Sequence, residues 1–136
     1  MTITVETFVK ANIDKVWNAW NNPDDIKQWN AASDDWHTTY SEVDLKIGGK
    51  FLARMEAKNG SFGFDFSGTY QNIEDHRHIE YVLEDGRNVS IKFESSDDGV
   101  KITETFDEDK DNPIEMQQAG WQAILNNFAK HVESKT

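Results

Sequence analysis

Glu104 is the residue whose position demands the most of its chemistry. In the stretch Val100 to Phe106, the side chains of Val100, Ile102, Glu104 and Phe106 alternate with those of Lys101, Thr103 and Thr105. Alternate residues of a strand share a face, so this spacing sets a carboxylate among three apolar neighbours on the side that should look inward. A carboxylate there loses hydration of its charged form, which raises its pKa or calls for a donor. Groups of this kind concentrate at functional sites. Two roles follow for Glu104: orienting a ligand hydroxyl or amine, or acting as a general base. A local bulge that turns it outward, or a strand-end position that reaches water, would instead make it an ordinary surface residue.

The other reactive side chains narrow the chemistry further. The absence of cysteine removes a disulfide framework, a thiolate metal site and a cysteine nucleophile together. There is no Gly-x-Ser-x-Gly and no phosphate-binding glycine loop, and Gly48-Gly49 reads as a turn, which leaves Glu104 as the one weak catalytic candidate. His76 and His78 share a face beside Asp75 and Arg77, just after a turn, with His37 and His131 elsewhere in the chain. A zinc site needs three or four converging ligands, and this spacing brings no such set together. The expectation is no metal and no cofactor.

An inward Glu104 requires a sheet with one dry face, and the rest of the chain reads as that sheet and its cover. Residues 2–10 alternate Ile3, Val5, Thr7 and Val9 against Thr4, Glu6, Phe8 and Lys10, the period of a half-buried strand. Asn12 then suits an N-cap and Asp14 a first turn, with Ile13, Val16, Trp17 and Trp20 on one helical face. Asn22-Pro23 starts a second short helix that buries Ile26 and Trp29. From about Thr39 to Phe106 the period is two, broken at Gly48-Gly49, Asn59-Gly60, Asp85-Gly86 and Asp98-Gly99, signals that pair successive strands antiparallel. Asn112, Pro113 and Glu115 fit the N-cap, N1 and N3 positions of a last helix, whose apolar stripe runs through Ile114, Trp121, Ile124, Leu125, Phe128 and Val132. Roughly 20 residues at 1.5 Å each make a helix about 30 Å long. The expected architecture is α+β: a curved antiparallel sheet of six or seven strands wrapped around a long C-terminal helix, with two short helices after the first strand, in one domain over residues 1–136.

Charge limits the partners. The chain carries 14 Lys and Arg against 25 Asp and Glu, a net charge of −11 that repels nucleic acid and anionic membrane surfaces. The N-terminal segment has no basic region followed by an apolar run, and no stretch is long enough to insert in a membrane. The reading is an unprocessed cytoplasmic protein. The acidic run Asp107 to Asp111 reads as a solvated loop into the last helix. Nothing in the spacing selects between a monomer and a weak homodimer through a sheet edge.

Several blocks resemble a known family. They are Ala11, Val16-Trp17, Pro23 and Trp29; Ala32 to Trp36; Asp44 to Gly49; Phe64 to Tyr70; Ile79-Glu80-Tyr81; Asp85-Gly86-Arg87; Glu104 to Asp107; and Gln117 to Gln122. Together they are similar to bacterial single-domain members of the activator of Hsp90 ATPase homologue 1-like family, within the START-like or SRPBCC superfamily. The resemblance runs nearly end to end and implies a helix-grip fold. It implies much less about activity, since the superfamily includes lipid carriers, plant hormone receptors, polyketide cyclases and co-chaperone domains. The eukaryotic Hsp90 activators have a further N-terminal domain that provides much of the chaperone contact, whereas this sequence opens on the first strand of the grip domain.

The inward aromatics Phe51, Phe62, Phe64, Phe66, Tyr81, Phe93 and Phe106, with Trp29 and Trp36 near the mouth, fit either a packed core or a ligand cavity. A ligand site would draw on Trp29, Trp36, Phe51, Met55, Phe64, Phe66, Tyr81, Ile91, Phe93, Glu104, Met116, Trp121 and Leu125. The first functional expectation is a carrier or sensor of a small hydrophobic molecule, lipid-like or polycyclic aromatic, oriented by Glu104 or Tyr81. The alternatives are a cyclase or dehydratase with Glu104 as acid or base, and a co-chaperone domain whose partner is a chaperone. A lone carboxylate without a second acid or base favours binding over catalysis.

Overall fold

The computed structural model describes residues 2–135. Strand β1 (Thr2–Val9) leads into helices α1 (Ile13–Asn21) and α2 (Pro23–Trp29). Six strands follow: β2 (Trp36–Val43), β3 (Lys50–Ala57), β4 (Gly63–Glu74), β5 (His78–Leu83), β6 (Asn88–Ser96) and β7 (Gly99–Asp107). Helix α3 (Ile114–Ser134) closes the structure. The seven strands form one antiparallel sheet in the order β1-β7-β6-β5-β4-β3-β2, curved into a half-barrel around α3. This is the helix-grip architecture, with the expected two short helices after the first strand. Among the described residues no helix is long and apolar enough to cross a membrane.

Local chemistry accounts for most boundaries. Asn12 and Asn22 cap α1 and α2, their side chains accepting from the Lys15 and Asp24 amides at 2.9 and 3.0 Å, and Pro23 takes the first turn of α2. Gly60 and Gly86 turn with φ of 77° and 92°, in the left-handed region that side chains disfavour. The β4–β5 turn has no glycine; His76 itself takes φ 66° there. Its ring stacks on Trp17 at 5.3 Å and pairs with Asp14 and Asp75, so tertiary contacts support the unusual backbone.

The start of α3 departs from the expected capping box. Asn112 makes no cap; its side-chain amide donates to Asp109 instead. Gln117, buried one turn into the helix, ties the preceding loop to it instead: its Nε2 donates to the Asp109 and Asn112 carbonyls at 2.7 and 2.8 Å, and its Oε1 accepts from the Asp109 amide at 2.7 Å. One glutamine thus folds the acidic loop 107–113 back onto the helix, where an Asn at the N-cap would have left the loop free.

The backbone of α3 runs closest to β1, the nearer edge of the sheet. Gln122 Nε2 donates to the Glu6 carbonyl at 2.9 Å and Gln118 Nε2 reaches that of Thr4, which covers β1's otherwise open edge. Asp25 of α2 accepts from His131 of α3 at 2.8 Å and from Lys135, just past its end, at 2.7 Å, joining the two helices at the far end. There Trp17, Trp20, Trp29, Phe93 and Phe128 pack edge-to-face and tilted at 4.9–5.6 Å. That end of the half-barrel is solid.

Replacing Gln117 by Ala strands two carbonyls and an amide beside the loop. The expected loss is about 2 kcal/mol in urea unfolding, while Asn112→Ala, at an exposed bond, costs less than about 0.5 kcal/mol. Equal losses would return the cap to Asn112.

Candidate functional site

The opposite end of the half-barrel is hollow. Helix α3 lies toward β1, and α1 and α2 plug only one side, so a cavity of about 460 Å³ remains beneath β2–β5 and beside α3. Its wall carries Trp29, Phe51, Met55, Phe64, Phe66, Tyr81, Glu104, Met116, Trp121 and Leu125 from the expected site. Trp121 forms the roof, stacked on Phe106 at 3.8 Å and edge-on to Phe66 at 6.0 Å. Phe51 meets Tyr81 and Tyr70 at 4.6 and 5.5 Å on the floor.

Three residues of the expected set stand elsewhere. Phe93 packs on Trp17 and Trp20 at the solid end, and Ile91 is fully buried between Ile79 and Glu104 in the sheet without reaching the cavity. Trp36, on the edge strand β2, turns to Phe62 and Phe64 at 6.1 and 5.9 Å, outside the cavity. Phe62 itself is 63% exposed, before β4 begins. The structure adds Tyr70, Ser41, Arg87, Ile124 and Gln117 to the wall. Tyr70 shares the inward parity of Phe66, a signal present in the sequence; Arg87 enters from the β5–β6 turn, where parity carries no information.

Glu104 faces the cavity. The β7 ladder runs unbroken from Gly99 to Asp107 against β1 and β6, pairing Glu104 with Val5 and Ile91. The bulges lie in other pairings, between Thr38 and Tyr40 and between Tyr70 and Asn72. Glu104 is 6% exposed, and among the described residues its carboxylate makes no hydrogen bond or ion pair. The Tyr70 and Tyr81 hydroxyls are equally without protein partners, and all three groups keep open surface toward the cavity. Ser41 Oγ differs: it is fully enclosed and unpartnered.

A match to a known family model covers residues 10–133, described as activator of Hsp90 ATPase homolog 1-like protein. The chain belongs to the activator of Hsp90 ATPase homologue 1-like family. The solution structure of the AHSA1-like protein from Aeromonas hydrophila is 48% identical, with a TM-score of 0.93 over 99% of this chain and 94% of that one. The solution structure of Chr148 from Cytophaga hutchinsonii is 47% identical, with a TM-score of 0.84 over 98% and 93%. Protein CV1439 from Chromobacterium violaceum, 20% identical, covers 98% of both chains at a TM-score of 0.88 and shares the fold. No curated protein matches.

In this member of the activator of Hsp90 ATPase homologue 1-like family, the cavity's electrostatics centre on Glu104. Burial without a compensating donor pushes its pKa from 4.5 up to about 8. Tyr81 is also raised, by burial first and then by the neighbouring Glu104. Arg87, the one Lys or Arg on the wall, donates from Nε to Asp85 at 2.8 Å and is already engaged. His78 hydrogen bonds to Ser90 at 2.8 Å and lies near Glu74, on the outer face. Among the described residues no three His, Cys, Asp or Glu side chains converge as a metal site would require.

A buried acid of this kind has a defined pH signature. Its folded pKa lies above the unfolded value, so the folded state holds the extra proton and stability falls as pH rises from about 4.5 to about 8. Below that window the acid is neutral in both states and costs nothing by this route. Glu104→Gln is expected to stabilise the protein at pH 8 by a few kcal/mol, with the gain vanishing near pH 4, as read by thermal unfolding across pH. A gain that does not depend on pH would mean that Glu104 ionises freely in the fold.

Proposed function

We propose that this chain binds a small hydrophobic molecule in the cavity between the sheet and α3, as a cytoplasmic carrier or sensor. The supporting observation is an apolar space of about 460 Å³ that the protein's own side chains leave open, with an unpartnered Glu104 on its wall. The volume suits a lipid-like or polycyclic ligand. At roughly 30 Å³ for each water-sized group it holds about 15 heavy atoms. At about 0.4 kcal/mol per atom such a ligand gains about 6 kcal/mol, a dissociation constant of roughly tens of micromolar.

The wall favours binding over catalysis. Proton transfer by Glu104 needs a second group to hand the proton on, and Tyr70 and Tyr81 are both raised by burial, which keeps them protonated and makes them poor proton donors. An adjoining surface, which shares Phe64 with the cavity wall, supports a protein contact of the kind the family name implies. Trp36, Phe62 and Phe64 form an aromatic cluster at the sheet rim, with Phe62 and Phe64 exposed. Hsp90-induced amide shifts at residues 36 and 62, with Tyr70, Tyr81 and Glu104 in the cavity silent, would favour that second reading.

The neutral fluorophore N-phenyl-1-naphthylamine tests the cavity directly. It is expected to brighten on binding, with a dissociation constant in the tens of micromolar or below. Ala53, buried on the cavity wall between Phe51 and Met55, offers the control: Ala53→Trp fills the space and should abolish binding while the melting temperature holds. Undiminished binding in a stably folded Ala53→Trp variant would place the fluorophore elsewhere.

A further inference from the structure

The polar groups inside the cavity define the chemistry of its occupant more narrowly than its apolar wall does. Three oxygens open on the space without a protein partner: the Glu104 carboxyl and the hydroxyls of Tyr70 and Tyr81. Tyr70 and Tyr81 are opposed across the β4–β5 ladder, and their rings meet edge-on at 6.3 Å. Across β6, Tyr81 pairs with Val89 and Glu104 with Ile91, two residues apart on the same face of that strand. The cluster is therefore one local patch on the floor and not a scatter of isolated groups.

A ligand carboxylate has no place beside this patch. The charged side chains on the wall are Glu42, Glu104 and Asp109 against Arg87, and Asp85 already holds Arg87. An incoming anion would thus meet three carboxylates against one cation already paired through its Nε, inside a protein of net charge −11. A ligand cation would require Glu104 to ionise, and taking both charges out of water offsets most of what the pair would gain. Burial holds Glu104 as the neutral acid at pH 7, its pKa raised to about 8, and the tyrosines stay protonated above that. In the neutral state all three groups have an O–H to donate. A carboxylic acid kept neutral by an apolar site is known to serve as such a donor. None of the three has a protein acceptor for that O–H, so an occupant that offers one is matched to the patch.

We propose that the cavity selects a neutral, mostly apolar molecule that presents a carbonyl-type oxygen, a ketone, aldehyde or quinone, to Glu104 and Tyr81. This rests on the binding function proposed above and adds the ligand's chemical class. Donors that would otherwise point into an empty apolar space gain a partner from such a molecule. An unadorned hydrocarbon leaves them unsatisfied and so binds more weakly.

Four probes of matched size separate the cases: 2-acetylnaphthalene, naphthalene, 2-naphthoate and 2-naphthylmethylamine, titrated into the full chain and followed by amide chemical shifts. The ketone is expected to bind about tenfold more tightly than naphthalene, the value of one well-made hydrogen bond, and to exceed both charged probes by at least as much at pH 6. Its affinity should fall about tenfold between pH 6 and pH 9.5 as Glu104 loses its proton. Tyr81→Phe and Glu104→Leu should each remove most of the preference over naphthalene. Glu104→Gln, whose amide donates at every pH, should remove the pH dependence. Equal affinity for ketone and naphthalene, or tighter binding of the amine or the naphthoate, would overturn the carbonyl assignment and leave the cavity reading intact. Failure of all four to shift the cavity amides would overturn both.

Discussion

The structure depends on a mismatch between a wide curved sheet and the single helix it encloses. Seven strands bent around α3 bound more volume than one helix can fill, and α3 is drawn to one side by its bonds to the β1 edge. The helices α1 and α2 bring three tryptophans onto Phe93 and Phe128 at one end only. The other end stays open because nothing else in the described chain reaches it. Filling it would take large side chains at positions such as Ala53, where the chain has a small one on the cavity wall. Close packing is worth about 1 kcal/mol for each methyl-sized void filled, so a hollow of this size is a standing cost to folding. Ligand burial would recover part of it.

Glu104 adds a second cost of the same kind. A leucine there would satisfy Val5 and Ile91 beside it in the ladder and remove the burden of an unpartnered acid. The carboxyl is out of place in a sheet that needs only to fold. In a sheet that orients something within the cavity, it is well placed. The two tyrosines extend the argument, because a phenylalanine at either position would pack the same ring without an unsatisfied hydroxyl. Stability has been traded for polarity at one patch of an otherwise apolar wall, which is the pattern expected where binding chemistry is located.

Much of this was legible in the sequence, and the reasons are local. Strand parity fixes which side of β7 Glu104 occupies because no bulge interrupts its ladder. The asparagine caps of α1 and α2 act within three residues, so their signals are complete in the chain itself. Parity cannot say which inward residues meet a helix and which meet empty space. Ile91 and Phe93 share the face of Glu104, but Phe93 is covered by Trp17 and Trp20 of α1 and Ile91 is fully buried, outcomes of long-range packing. Trp36 was misleading for a similar reason: it begins an edge strand whose next pairing shifts register at Thr38 and Tyr40. Gln117 carries no recognised cap pattern, because its three bonds depend on the fold-back of the loop before it.

Family membership establishes the fold and leaves the ligand to the interior. The account therefore turns on whether the Glu104 carboxyl is buried, unpartnered and neutral within the cavity. Selective carbon-13 labelling of glutamate and a pH titration of the Glu104 carboxyl resonance measure this directly. The account predicts a midpoint near 8. A midpoint near the ordinary value of 4.5 would contradict it, because the carboxyl would then be solvated or paired, and the cavity would lack the polar centre on which its proposed chemistry rests.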